Sequence, residues 1–166
     1  MKNIFLFLIG KGILLLSINP VLAQPAELSF TIKLDKTTYK VNEPMKCSMI
    51  LKNESAGDIV VNNRFLVNLP GGPLEVSFQL IGPDLKPAIF QKLINAPRKS
   101  NHFHLLHPGE SVSKPYMLTG VFDISQKGQW NVAAYYKNKQ DTPPELKLAS
   151  AWMGQLVSNK VNFTIR

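Results

Sequence analysis

Apolar and polar residues alternate with a period of two along most of this chain, and turn residues interrupt the alternation often. Leu28, Phe30, Ile32 and Leu34 alternate with Ser29, Thr31 and Lys33, which predicts a strand with one buried and one wet face. Met45, Cys47, Met49 and Leu51 form a second such stripe, and Ile59-Val60-Val61 restarts a strand after the loop Asn53–Asp58. Arg64–Leu69 is a short apolar segment closed by Pro70-Gly71-Gly72-Pro73. Val76, Phe78 and Leu80 then alternate with Glu75, Ser77 and Gln79, which places those three polar residues on the wet side. Residues 85–100 carry Pro87 and Pro97 and read as a loop or an edge strand. His102–Leu106 runs into the turn His107-Pro108-Gly109-Glu110, and Val112–Leu118 follows with Tyr116 and Leu118 on one face. Trp130, Val132, Ala134 and Tyr136 make the clearest inward face, and Val161, Phe163 and Ile165 close the chain after a linker, Lys137–Ala149. No amphipathic helix and no internal repeat stands out after residue 23. Short strands at regular spacing with turns between them predict an all-β, immunoglobulin-like antiparallel β-sandwich of about 7–9 strands.

The first 23 residues have a different character. Lys2, an apolar run from Ile4 to Ile18, Pro20 and the closing Val21-Leu22-Ala23 read as a signal peptide cleaved before Gln24. Lys11 interrupts the run, against a permanent membrane span. The expectation is a secreted or periplasmic protein with one domain over residues 24–166. Cys47 is the single cysteine, so no intramolecular disulfide is possible and stability must come from burial. Without Lys2 and Lys11, 17 basic residues face 11 acidic ones, but they are spread thin and form no nucleic-acid stripe.

Three segments resemble a broad group of secreted bacterial immunoglobulin-like domains. They are Tyr39-Lys40-Val41-Asn42-Glu43-Pro44 with Asn53 after the next strand, the turn Leu106-His107-Pro108-Gly109-Glu110-Ser111, and Gly128-Gln129-Trp130 with the later Trp152-Met153-Gly154-Gln155-Leu156-Val157-Ser158-Asn159. Asn42 stands where glycine is usual in that group. The group includes proteinase inhibitors of the BsuPI type, so the resemblance implies a sandwich and offers inhibition as one function. Antibody-like domains use a tyrosine hydroxyl to tie down a corner two residues before a core cysteine; here Trp130 and Val132 occupy those places.

Several residues invite chemical readings. Met45, Cys47 and Met49 place three sulfurs on one strand face, a soft set suited to Cu(I), although the same stripe is what an inward face needs. His102, His104 and His107 form His-x-His-x-x-His, a candidate Zn²⁺ or Cu²⁺ set with Glu110 nearby. Gly-x-Ser-x-Gly, His-Glu-x-x-His and a phosphate-binding glycine loop are all absent, so no catalytic residue, cofactor or enzyme activity is expected. Trp152 is a candidate aromatic anchor, and Pro70, Gly71 and Gly72 lie in the loop that would serve an inhibitor. The leading expectation is a non-catalytic binding domain for a protein or envelope component, through end loops or by strand addition at a sheet edge. Proteinase inhibition and periplasmic metal binding are the alternatives.

Overall fold

The computed structural model describes residues 27–68, 72, 74–91 and 102–166. The proposed signal peptide, Pro70 and Gly71 lie outside them. Within them the chain forms eleven strands: β1 (Leu28–Leu34), β2 (Thr38–Tyr39), β3 (Lys46–Asn53), β4 (Ile59–Asn62), β5 (Val67–Asn68), β6 (Val76–Ile81), β7 (Phe103–Leu106), β8 (Ser111–Met117), β9 (Gly128–Asn138), β10 (Gly154–Val157) and β11 (Val161–Ile165). The smaller layer is the sheet β1-β3-β8. The larger is a six-stranded sheet in the order β2-β11-β9-β6-β5, with β10 also paired to β9, and β4-β7 form a separate ribbon. All ladders are antiparallel except the two-residue pairings of β2 with β11 and of β5 with β6.

The period-two stripes meet between the layers. Leu28, Phe30, Ile32, Cys47, Met49 and Leu51 come from the smaller sheet, with Met45 just before β3, and Val76, Phe78, Leu80, Trp130, Val132, Ala134, Tyr136 and Phe163 from the larger. Each large apolar side chain removed from water in this way contributes about 1.5–3 kcal/mol. The chain is an all-β sandwich of the immunoglobulin-like kind, as the alternation predicts. β2 and β10 are additions to the strands read from the sequence, and β9 runs on to Asn138, into the predicted linker.

Three of the segments singled out in the sequence hold turns and core in place. Asn42 adopts a left-handed backbone (φ 61°), which asparagine tolerates better than most residues. The Asn53 amide donates to the carbonyls of Gly57 (2.7 Å) and Leu106 (2.9 Å), fixing the loop after β3 to the end of β7. Trp130 buries its ring against Phe163 and donates its indole N–H to the carbonyl of Gln126 (2.8 Å). A tyrosine hydroxyl ties down a different turn, between β1 and β2. Tyr39 accepts the backbone N–H of Lys36 (3.0 Å) and donates to Asp35 Oδ1 (2.8 Å).

Candidate functional site

Alternation that buries Phe78, Leu80, Ala134 and Tyr136 must send their neighbours outward. The outer face of the larger sheet therefore carries Ser77 and Gln79 from β6, Tyr135 and Lys137 from β9, and Gln155 and Val157 from β10. Strand register places Ser77 opposite Tyr135, Tyr135 opposite Val157, and Lys137 opposite Gln155. The Tyr135 hydroxyl donates to Gln79 Oε1 (3.2 Å), and the Lys137 ammonium donates to the carbonyl of Gly72 (3.0 Å).

A cleft of about 520 Å³ opens beside this row. Its lining has a polar part, Ser77, Gln79, Tyr135, Lys137 and Gln155, and an apolar part in which half-buried Ala88 and Phe90 lie over the buried side chains of Phe78, Leu80 and Phe122. The apolar part exists because β5 pairs with only the first two residues of β6. The rest of that edge is met by the returning chain: Ala88 N–H donates to the carbonyl of Leu80 (2.9 Å), and Asp123 N–H to that of Ile89 (2.9 Å). Phe90 and Phe122 meet edge to face with centroids 5.3 Å apart, and Phe122 meets Phe78 likewise at 6.3 Å. Polar groups beside half-buried Ala88 and Phe90 suit recognition of a ligand with one apolar group and a hydrogen-bonding margin.

Glu75 also lines the cleft, but its carboxylate is fully engaged. It pairs with the guanidinium of Arg64, which also donates from Nε (3.1 Å), and it accepts the backbone N–H of Leu66 (3.2 Å) and the Asn62 amide (3.4 Å). Asn62 further contacts Asn138 (3.4 Å), whose amide donates to the carbonyls of Gln140 and Trp152. The sequence pattern places Glu75 on the wet face; the structure buries it. The residue sits just before β6, and Arg64 reaches it from eleven positions away. No local signal marks such a pair.

The histidines do not form one centre. His104 Nε2 lies 3.7 Å from Glu110 Oε1, while His107 Nδ1 lies 2.9 Å from Asp58 Oδ1. The Asp58 hydrogen bond and charge raise the pKa of His107. His102 is half-buried, and its Nε2 has no hydrogen-bond partner. Burial lowers its pKa, and the charges of Lys114 and Arg64 lower it further. Those cations also disfavour a metal ion there. Among the described residues no group of three His, Cys, Asp or Glu side chains is placed to hold a metal.

The sulfur stripe is core. Met45, Cys47 and Met49 are fully buried, and burial pushes the Cys47 thiol up to about 12, where it is neither a nucleophile nor a ready ligand. Trp152 is half-buried and stacked on Tyr136 with centroids 6.1 Å apart, so one face of its ring is packed. Of the loop residues Pro70, Gly71 and Gly72, only Gly72 is described, as the carbonyl that receives Lys137.

No protein-family model matches the chain, and comparison with curated proteins finds no relative. Solved structures similar in chain trace include the following two. One is the CARDB domain of the PF1109 protein from Pyrococcus furiosus, crystallised in complex with di-metal ions: 14% identity, 84% of this chain and 87% of that chain, TM-score 0.38. The other is a mutant beta-glucosidase from Listeria innocua in complex with laminaribiose: 14% identity, 80% of this chain but 16% of that chain, TM-score 0.31. Among the described residues no helix is long and apolar enough to cross a membrane.

Proposed function

We propose that the chain is an exported, non-catalytic recognition domain that binds a partner protein or an envelope component over the outer face of its larger sheet. The observation that carries this reading is the cleft beside β6, where half-buried Phe90 and Ala88 lie next to the polar groups of Gln79, Tyr135 and Lys137. The apolar surface a ligand would cover is that of half-buried Ala88 and Phe90, since Phe78, Leu80 and Phe122 behind them are already buried. The carboxylate that lines the cleft is occupied, since Glu75 is bound to Arg64, Asn62 and the Leu66 N–H.

The test is capture from an extract of the native envelope on immobilised protein, with and without Tyr135→Ala and Phe90→Ser. Retention of a stoichiometric partner by the parent chain and its loss with either variant supports the reading. Equal retention by parent and variants, with both variants folded, overturns it.

Proteinase inhibition, suggested by the resemblance to BsuPI-type domains, would use the loop from Leu69 to Pro73. Residual activity of serine, cysteine and metalloproteases in the presence of excess protein decides that reading.

A further inference from the structure

A sheet edge is a row of backbone N–H and C=O groups that templates another strand, and folded proteins blunt such edges. This sandwich blunts two of them. On β8, Pro115 offers no N–H, and Lys114 stands opposite the buried Met49, on the core-facing side, where its ammonium donates to the carbonyl of Arg64 (2.8 Å). On β1, the outward groups of Ile32 are taken by one side chain: its N–H donates to Asn159 Oδ1 (2.9 Å), and its carbonyl accepts from Asn159 Nδ2 (3.1 Å).

β10 has neither device. The run Met153-Gly154-Gln155-Leu156-Val157 contains no charge and no proline. Lys137 N–H donates to the carbonyl of Glu75 (2.7 Å), so odd-numbered residues of β9 bond toward β6 and even-numbered ones toward β10. Ser158 N–H donates to the carbonyl of Ala134 (2.8 Å), which continues that ladder in register and makes the even-numbered residues of β10 its partners. The N–H and C=O of Gln155 and Val157 therefore point away from β9, and no described residue bonds them. The side chains of Met153 and Val157 are each 58% exposed on either side of Gln155.

We propose that β10 pairs antiparallel with β10 of a second copy, about a two-fold axis at Gln155. In that register Gln155 faces its own equivalent, and Met153 of each copy faces Val157 of the other. The outward groups of Gln155 and Val157 gain partners, and two exposed apolar side chains cover each other twice. A two-fold interface must be self-complementary, and the apolar–polar–apolar order centred on Gln155 meets that condition. The two larger sheets become one continuous sheet, with the two clefts flanking the axis because Gln155 lines each cleft. The pairing stands whatever the clefts bind.

Sedimentation equilibrium of the purified protein from about 1 µM to about 500 µM tests it. The expected result is a monomer–dimer equilibrium weakened at least tenfold by Val157→Lys and by Gln155→Pro, which removes an N–H unused within the protomer. The double variant Met153→Glu with Val157→Lys places opposite charges face to face and restores association. Gln155→Cys forms a disulfide-linked dimer in air, whereas Ser113→Cys on the blunted β8 edge does not. A monomer over the whole range, a dimer indifferent to Val157→Lys, or a different polypeptide seated on β10 would overturn the proposal. Circular dichroism of each variant separates lost pairing from lost folding.

Discussion

The side-chain amide of Asn159 gives Ile32 both hydrogen bonds that a neighbouring strand would otherwise supply. One residue of the β10–β11 turn thus ties the edge of the smaller sheet to the larger one, 127 positions apart in sequence. Asn159→Ala is expected to lower stability by about 1–3 kcal/mol, because it leaves a donor and an acceptor unpaired. Urea denaturation measures this, and an unchanged midpoint would show that water replaces the amide without loss.

Breaking the Arg64–Glu75 pair one-sidedly is expected to be costly. The Glu75 side chain is 5% exposed and that of Arg64 15%. Arg64→Met strands a buried carboxylate and should cost about 3–5 kcal/mol. Adding Glu75→Leu to that variant should recover much of the loss. If the double variant is no more stable than Arg64→Met alone, the pair is held by its surroundings and not by its own charges.

These two relationships mark the boundary of what the sequence makes readable. Strands whose partners lie on one face announce themselves by alternation, which is why Leu28–Leu34, Met45–Leu51 and Trp130–Tyr136 were legible. β10 was not, because its inward positions are Gly154, half-buried Leu156 and Ser158, a weak apolar stripe. Glu75 and Asn138 obey polarity in sequence and break it in space, since each is satisfied by groups remote along the chain. The outward polar residues of the cleft lining follow from the same alternation that gives the core. The partly exposed apolar part, Ala88 and Phe90, does not, because it depends on a return of the chain that no period describes.

Gly154 is expected to resist substitution because of what lies over it. A methyl group there would meet two ring carbons of Trp152 at 2.8 Å. Gly154→Ala should push the indole off Tyr136, shift its fluorescence and lower stability by about 1–3 kcal/mol. Unaltered fluorescence and stability would show that the ring moves aside freely.

The two perturbed histidines are expected to act on stability with opposite dependence on pH. His107, raised by Asp58, contributes stability that is fully present below the ordinary histidine value of 6.5 and is lost as pH rises through its raised pKa. His102, lowered by burial and by Lys114 and Arg64, contributes stability present above 6.5 and lost as pH falls through its lowered pKa. NMR titration of the ring protons should therefore place the midpoint of His107 above that of His102. Asp58→Asn should bring His107 back toward the ordinary value and leave His102 in place. Coincident midpoints would contradict both local pictures.

The most direct test of recognition through the outer face is site-specific photocrosslinking in the native cell, with the photoreactive residue placed at Gln79. The account predicts a single adduct of discrete mass, competed by excess unlabelled protein. The same residue placed at Thr31, on the outer face of the smaller sheet, should give none. Adducts from Thr31 with none from Gln79 would place recognition on the opposite face and contradict the account.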